Sequence, residues 1–136
     1  MALSLLIFPI LLIGCEDDSN VPEGAWAYQG YNDQGGLVVQ GWLRFTDVQP
    51  GGFSGSWHLE AVGSPGNIGP QVGDGKLAGQ IQSQGLYSIN LNPDYVDNNV
   101  ILSGTPNGAL FPGEWHYIGI AGIISHGTFR ALRQPA

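Results

Sequence analysis

The sequence contains one cysteine and few charged residues, with 4 Lys and Arg against 11 Asp and Glu in 136 residues. A single thiol cannot form an intrachain disulfide or a multi-cysteine metal site. The basic residues are scattered along the chain, and the net charge is −7, so no basic surface for nucleic acid is expected. These residues are Arg44, Lys76, Arg130 and Arg133. Nucleic acid is therefore not an expected partner, and the acidic charge identifies no other.

Helical signals are also missing from the sequence. No segment carries an apolar period of 3.6 residues over ten or more positions. Period-two alternation takes its place, for example at Phe53, Trp57 and Leu59, where the intervening side chains are polar or small. The 22 Gly and 9 Pro punctuate this alternation, and a hydrophobic content of 43% argues against disorder.

This alternation predicts eight short strands in a single domain spanning residues 24–134. Most connections are short enough for antiparallel hairpins. An up-and-down meander of about eight strands leaves two unpaired edges unless it closes on itself. We therefore predict an all-β fold that closes into a small barrel, with an open β-sandwich as the alternative. The predicted strands are residues 25–31, 37–48, 52–62, 75–83, 86–92, 99–105, 109–118 and 123–132.

The longest apolar run covers residues 2–14 and is followed directly by Cys15. At a rise of about 1.5 Å per residue, this run is too short to cross a bilayer core of about 30 Å. A cleaved signal sequence fits better, because the polar spacer at residues 16–20 suits a tether. A buried core strand with an ordinary cysteine is the alternative interpretation.

The sequence L-I-G-C at residues 12–15 resembles the lipobox of bacterial lipoprotein precursors, although no Lys or Arg follows Met1. The resemblance implies a lipoprotein signal peptide at residues 1–14, lipid on Cys15, and a flexible tether over residues 15–23. It also implies membrane lipid as a partner and an extracytoplasmic location in the bacterial cell envelope. A lipidated Cys15 would leave no free thiol for catalysis.

One pattern, F-x-G-x-W-H, occurs twice, at residues 53–58 and 111–116. Two looser copies, at residues 39–43 and 77–81, also place a Gly between apolar residues. Because a Gly inside a strand weakens it, we expect the four glycines to lie at inward kinks covered by neighbouring aromatic rings. Pro112 cannot donate to a strand ladder and is expected at an edge or a bulge.

The rhythm of Gly-flanked aromatic residues resembles the calycin-type barrels, that is, the lipocalins and avidins. Residues 51–57, G-G-F-S-G-S-W, approximate the avidin pattern G-x-[FL]-[ST]-G-[ST]-[YW], and residues 125–133 resemble the final avidin strand. The resemblance implies a small up-and-down barrel. It does not imply biotin binding, because Trp57 and Leu59 stand where avidins would have their Tyr and Ser contacts.

Six inward aromatic residues are candidates for lining a site that holds one small apolar or amphipathic ligand. An eight-stranded barrel has room for either packed side chains or one small ligand. If the rings fill the interior, the alternative is a non-enzymatic envelope structural or protein-interaction module with an outer patch. That patch would comprise Val38, Trp42, Leu110 and Ile118. The six candidate ligand-binding residues are Phe53, Trp57, Tyr87, Phe111, Trp115 and Phe129.

Polar clusters predict no catalytic chemistry. His58 has Glu60 on its own outward face, and His116 has Glu114, which we interpret as solvated His–Glu pairs. The Asp and Asn side chains of residues 92–99 lack the spacing of a calcium loop and are interpreted as turn hydrogen bonds. Without a recognisable nucleophile and base, we expect no enzyme, no catalytic residue, no metal and no cofactor. Paired carboxylates at strand ends leave hydrolysis open.

Overall fold

Eight antiparallel strands follow one another around a closed barrel, and the last strand pairs with the first. The computed structural model describes residues 24–135, so the predicted signal peptide, Cys15 and the tether lie outside the described residues. The strands are β1 (Gly24–Asn32), β2 (Leu37–Gln49), β3 (Gly52–Ala61), β4 (Gly73–Ile81), β5 (Tyr87–Asn90), β6 (Asn99–Gly104), β7 (Leu110–Gly119) and β8 (Gly122–Arg133).

The predicted all-β meander and its closure into a barrel are confirmed. Pairing between β1 and β8 runs from Trp26 opposite Arg133 to Asn32 opposite Gly127. These bonds join the two edges that an open sandwich would leave apart, so the sandwich alternative is wrong. The strand ends differ from the predicted ones by no more than two residues. Within residues 24–135, no helix has both the length and the apolar character to span a membrane.

Alternate residues of each strand face the barrel interior, because successive side chains of a strand point to opposite faces. In β3, Phe53, Trp57 and Leu59 are buried, whereas His58 and Glu60 lie on the outer face. Each fully buried large apolar side chain contributes roughly 1.5–3 kcal/mol to folding. The core therefore lies within the barrel wall and is built from every second residue.

The two ends of the barrel are closed in different ways. At the end that we name the turn end, the connections at residues 50–51, 82–86 and 105–109 are short. At the opposite end, the loop end, the long connection between β3 and β4 folds back over the barrel, where Ile68 is buried and Gly69 lies against the Tyr117 ring. The interior rings are therefore covered by a long loop at one end only.

The four glycines predicted to lie beneath rings fall into two groups. Phe53 covers Gly79, and Phe129 covers Gly113, so a methyl group at either glycine would collide with a ring, and at Gly113 also with the carbonyl oxygen of Ser103. At the other two, a Cβ would instead meet a carbonyl oxygen of the neighbouring strand. The prediction was wrong for this second pair, because close backbone approach, not ring cover, requires glycine there. The two exceptions are Gly41 and Gly55.

Pro112 lies inside β7, paired with Arg130 of β8, and the register shift between these strands falls at the other end of β7. The expectation of an edge or a bulge was therefore wrong. On the opposite side, β6 ends at Gly104, and the carbonyl oxygen of Pro112 faces this residue. The nitrogen and oxygen of one strand residue face the same neighbour. The missing N–H therefore points past the end of β6, where no ladder bond is needed.

Candidate functional site

Five aromatic side chains form a closed circuit of ring contacts inside the barrel near the turn end. Neighbouring rings have centroids 4.5–6.1 Å apart, which suits tilted and edge-to-face packing. Phe129 extends the circuit, with its centroid 5.1 Å from that of Phe111, and stacks on Tyr28 at 5.4 Å. We name these seven residues the aromatic cluster: Trp26, Tyr28, Phe45, Phe53, Tyr87, Phe111 and Phe129.

All six predicted lining residues are buried, and they occupy two regions of the interior. Trp57 and Trp115 lie outside the aromatic cluster, each covering a Gly directly opposite on the next strand. The Nε1 of Trp57 donates to the carbonyl of Leu91 at 2.8 Å, and that of Trp115 donates to Tyr31 at 2.8 Å. Both indoles are thus already engaged with the backbone. The four predicted residues within the aromatic cluster are Phe53, Tyr87, Phe111 and Phe129.

Sequence reasoning missed three members of the aromatic cluster. Trp26 and Tyr28 occupy alternate inward positions of β1, and Phe45 shares its inward phase with Leu43 in β2. None of these residues belongs to an F-x-G-x-W-H copy, so the repeat does not point to them. The period-two alternation of β1 and β2 is the signal that could have identified them.

Two donors in the aromatic cluster, Nε1 of Trp26 and the hydroxyl of Tyr28, have no hydrogen-bond partner among the described residues. These side chains are 0% and 1% exposed. Leaving a buried donor unpaired costs about 1–3 kcal/mol, and most buried polar groups are paired. Burial also raises the pKa of the Tyr28 hydroxyl, which keeps it protonated and able to donate. The interior therefore presents two unused donors among apolar rings.

Charge lies at the turn end of the aromatic cluster and not within it. The guanidinium of Arg133 lies 5.4 Å from the ring centre of Trp26. Burial raises the pKa of the Tyr87 hydroxyl, and the positive charge of Arg133 opposes that rise. Tyr87 is the first residue of β5, so its ring stands where β5 meets the turn end. Tyr87 and Arg133 therefore flank the turn end of the interior.

Asparagine side chains organise the connection between β5 and β6, as predicted for residues 92–99. Asn92 accepts a hydrogen bond from the backbone nitrogen of Val100 at 2.8 Å and donates to the carbonyl of Pro70 at 2.8 Å. Asn99 donates to the carbonyl of Asn92 at 2.6 Å. These amides bond the backbone of their own loop and of the long β3–β4 connection. The interpretation as turn hydrogen bonds is confirmed.

His58 lies on the outer face between two carboxylates. Its Nε2 is 2.9 Å from Oε2 of Glu60, and its Nδ1 is 2.7 Å from Oδ1 of Asp74. Both ring nitrogens donate at once only in the imidazolium form, so the hydrogen bonds to Glu60 and Asp74 raise the pKa of His58. The predicted pair with Glu60 is present, whereas the Asp74 contact comes from β4 and was not predicted.

His116 has a different environment on the opposite side of the barrel. Its Nε2 lies 3.8 Å from Oε1 of Glu114, and its ring stacks on that of His126 with centroids 6.1 Å apart. His126 has no acidic neighbour like those of the other two histidines in the sequence, and pairing of β7 with β8 places it directly opposite His116. Within residues 24–135, no group of three His, Cys, Asp or Glu side chains is arranged to hold a metal ion.

The predicted outer patch is only partly at the surface. Val38 is buried, because β1 pairs with Leu37 and Val39 but skips Val38, and the alternation breaks at this register shift. Placing Val38 in the patch was therefore wrong. Trp42 is exposed and belongs to a continuous cross-strand row on the outer face. We name this the apolar row, and its members in strand order are Trp42, Ala27, Leu132 and Leu110.

No protein-family profile and no curated protein sequence matches the chain. A solved structure of EF1p2_mFAP2b bound to DFHBI is similar, with a TM-score of 0.54 and 16% sequence identity. The match covers 82% of this chain and 93% of that chain. At this identity the similarity shows the fold alone, which in this chain is a closed antiparallel β-barrel.

Proposed function

We propose that the barrel binds one small, flat, largely apolar molecule that carries a hydrogen-bond acceptor, held within the aromatic cluster. The observation that carries this proposal is the pair of unpartnered buried donors, Trp26 Nε1 and Tyr28 OH. A ligand oxygen or nitrogen that accepts from them would remove the cost of leaving them unpaired. The surrounding rings would cover its apolar faces, as in most small-molecule sites.

Ligand entry at the turn end requires a ring to move. The Tyr87 ring lies between those of Phe53 and Phe111 in the circuit, with its centroid 5.7 Å from each. Rotation of Tyr87 toward solvent would open this circuit, because only short connections surround it at this end. The loop end is a poorer entrance, since the long β3–β4 connection packs over it.

The similar solved barrel supports the proposal in a limited way. The structure of that protein is described as bound to DFHBI, so a small molecule can bind to a protein that contains a barrel of this fold. We further propose that the present barrel binds its ligand without converting it. In support, His58 and its two carboxylates lie on the outer face, apart from the aromatic cluster.

Binding of DFHBI and of 1-anilinonaphthalene-8-sulfonate to the full chain, followed by fluorescence and calorimetry, tests the interior site. We expect saturable binding of at least one probe. Tyr28→Phe should weaken it about tenfold, which is about 1.4 kcal/mol, because one hydrogen bond is lost. Without ligand, the same variant should gain about 1 kcal/mol in unfolding free energy, since the unpaired hydroxyl is gone.

Tyr31→Phe is the matched control, because the Tyr31 hydroxyl donates to Gln29 at 3.0 Å and lies outside the aromatic cluster. This variant should bind both probes like the wild type. If neither probe binds the wild type, or if Tyr28→Phe binds as tightly, the interior site is wrong.

The ring contacts of the aromatic cluster also fit a second function, in which the rings fill the interior and no ligand binds there. The protein would then be a non-enzymatic envelope interaction module that uses its outer face. The exposed apolar row supports this alternative, with Leu132 45% exposed and Trp42 38% exposed. Failure of both probes to bind the wild type would favour this function over ligand binding, whereas stabilisation by Tyr28→Phe is expected for either function.

We also propose that the barrel is anchored in the bacterial cell envelope through lipid on Cys15. The lipobox-like residues 12–15 and the polar residues 16–20 support this location. Detergent phase partitioning provides the test: the wild type should enter the detergent phase, and Cys15→Ser should remain in the aqueous phase. A Cys15→Ser variant that still partitions with detergent would disprove the anchor.

A further inference from the structure

The outer face of β8, β1, β2 and β3 carries a cleft of about 450 Å³. Small residues, Ala27 and Gly41, are part of its lining. Its volume falls in the range of about 300–1,000 Å³ that is usual for small-molecule sites. Of the aromatic cluster only Tyr28 also lines the cleft, and its side chain is 1% exposed. The cleft opens on the outside of the wall, so a ligand there would not enter the barrel interior, and the inference does not rest on the function proposed for the aromatic cluster.

One side of the cleft is a row of polar side chains at consecutive cross-strand positions, which we name the amide row. In strand order its members are Glu60, Gln40, Gln29 and Arg130. With strands about 4.8 Å apart, four positions span roughly 14 Å. The Tyr31 hydroxyl donates to Oε1 of Gln29 at 3.0 Å, which positions this amide and leaves its N–H groups as donors.

The apolar row runs beside the amide row and lies two residues nearer the turn end on each strand. Ala27 and Leu132 of this row line the cleft, and Trp42 lies beside it, directly opposite the lining residues Ala27 and His58. The Trp42 ring lies 6.1 Å from the ring of His58, and the guanidinium of Arg44 lies 5.9 Å from its centre. Since Glu60 and Asp74 hold His58, these contacts restrain an exposed indole at the side of the cleft.

We propose that this cleft binds a saccharide. A sugar ring presents C–H groups on its faces and hydroxyl groups at its rim. The apolar row offers the indole and Leu132 to the C–H faces, while the amide row offers both donors and acceptors to the hydroxyls. Glu60 lies at one end of the amide row, paired with His58, and Arg130 lies at the other end, so charges of both signs line the cleft. This mixture suits a neutral polyhydroxylated chain better than an ion. The length of the row accommodates two linked sugar rings.

Titration of the full chain with cellotriose, maltotriose and chitotriose tests this inference by calorimetry and by iodide quenching of tryptophan fluorescence. Trp26, Trp57 and Trp115 are buried, so iodide quenching reports chiefly on Trp42. At least one trisaccharide should bind saturably and protect Trp42 from iodide. Trp42→Ala and Gln40→Ala should each weaken that binding at least tenfold.

Gln80→Ala is the matched control, because Gln80 is an exposed glutamine on the outer face of β4, away from the cleft. It should bind the trisaccharide like the wild type, and urea unfolding should show that all three variants are folded. If none of the three sugars binds, or if binding survives both Trp42→Ala and Gln40→Ala, the saccharide site is wrong. Self-association that depends on Trp42, without sugar binding, would identify a protein contact and also overturn the proposal.

Discussion

The two F-x-G-x-W-H copies lie on β3 and β7, four strands apart in an eight-stranded barrel, and their inward halves are used in the same way. Trp57 covers Gly75 directly opposite on β4, and Trp115 covers Gly127 directly opposite on β8. Each indole donates to a backbone carbonyl at 2.8 Å. The same inward residues therefore create the same local packing at two places around the barrel.

The outward halves of the two copies differ. On the strand that follows each copy, the residue opposite His58 is Asp74, whereas the residue opposite His116 is His126. His58 is therefore held between two carboxylates, while His116 stacks on a second imidazole. The difference teaches that a strand motif determines what it buries, but the neighbouring strand determines the chemistry of its outer side chain.

Removing either indole should have the largest effect. Trp57→Ala and Trp115→Ala should each lower the unfolding free energy by about 3–5 kcal/mol, because each leaves a cavity and unpaired carbonyl oxygens. Urea denaturation measures both values. Trp42→Ala is the control on the outer face and should cost less than about 1 kcal/mol. An interior variant no less stable than Trp42→Ala would contradict the equivalence of the two copies.

Adding a methyl group beneath each indole should lower the unfolding free energy by different amounts in the two copies. At Gly75 the added Cβ would lie 2.6 Å from a ring atom of Trp57, and Gly75→Ala should cost about 1–3 kcal/mol through overpacking. At Gly127 the Cβ would meet both the Trp115 ring and the carbonyl oxygen of Tyr31. Gly127→Ala should cost more, because backbone cannot rotate away. If chemical denaturation gave equal losses of unfolding free energy for the two variants, the contact with the indole ring alone would account for both losses.

The pH dependence of stability should reveal the His58 cluster. Hydrogen bonds to Glu60 and Asp74 raise the pKa of His58 above its unfolded value of about 6.5. The stabilisation is therefore fully present below the unfolded pKa and is lost as the pH rises through the folded pKa. The stability difference between wild type and His58→Gln should be larger at pH 6 than at pH 9. A difference independent of pH would rule out a charged His58 as its source.

The smallest expected effect comes from making the first copy resemble the second. Asp74→His replaces a carboxylate beside His58 with an imidazole and should lower the pKa of His58, as should Glu60→Gln. Proton NMR titration of the His58 ring measures the change. Asp94→Asn, a carboxylate change in the β5–β6 connection, serves as control and should leave this titration in place. An unchanged His58 titration in Asp74→His would contradict the ion-pair geometry.

Most of the fold could be predicted from the chain alone. Period-two alternation located all eight strands within two residues, and the need to pair both edges favoured closure. The exceptions lie where pairing with a neighbouring strand changes which face a side chain points to, or whether a backbone N–H is needed. Val38 turns inward at a register shift, and Pro112 sits beside the end of β6. Neither effect is visible in the residues themselves.

The candidate interior site was predicted in part, since four of the six proposed rings belong to the aromatic cluster. Trp57 and Trp115 are buried as expected, but they bond to backbone carbonyls of other segments. The unpartnered donors of Trp26 and Tyr28 could not be anticipated, because finding an unpaired group requires knowing every atom around it.

Apart from Val38, the sequence by itself determined which strand side chains point inward, since alternation along a strand is a local property of the backbone. It thereby determined an aromatic interior and an outer face that carries His58, Trp42 and the glutamines. Only the tertiary structure decided which of these meet: Asp74 beside His58, and Gln29 beside Gln40. Cross-strand neighbours depend on register, and the register is set when the whole barrel closes.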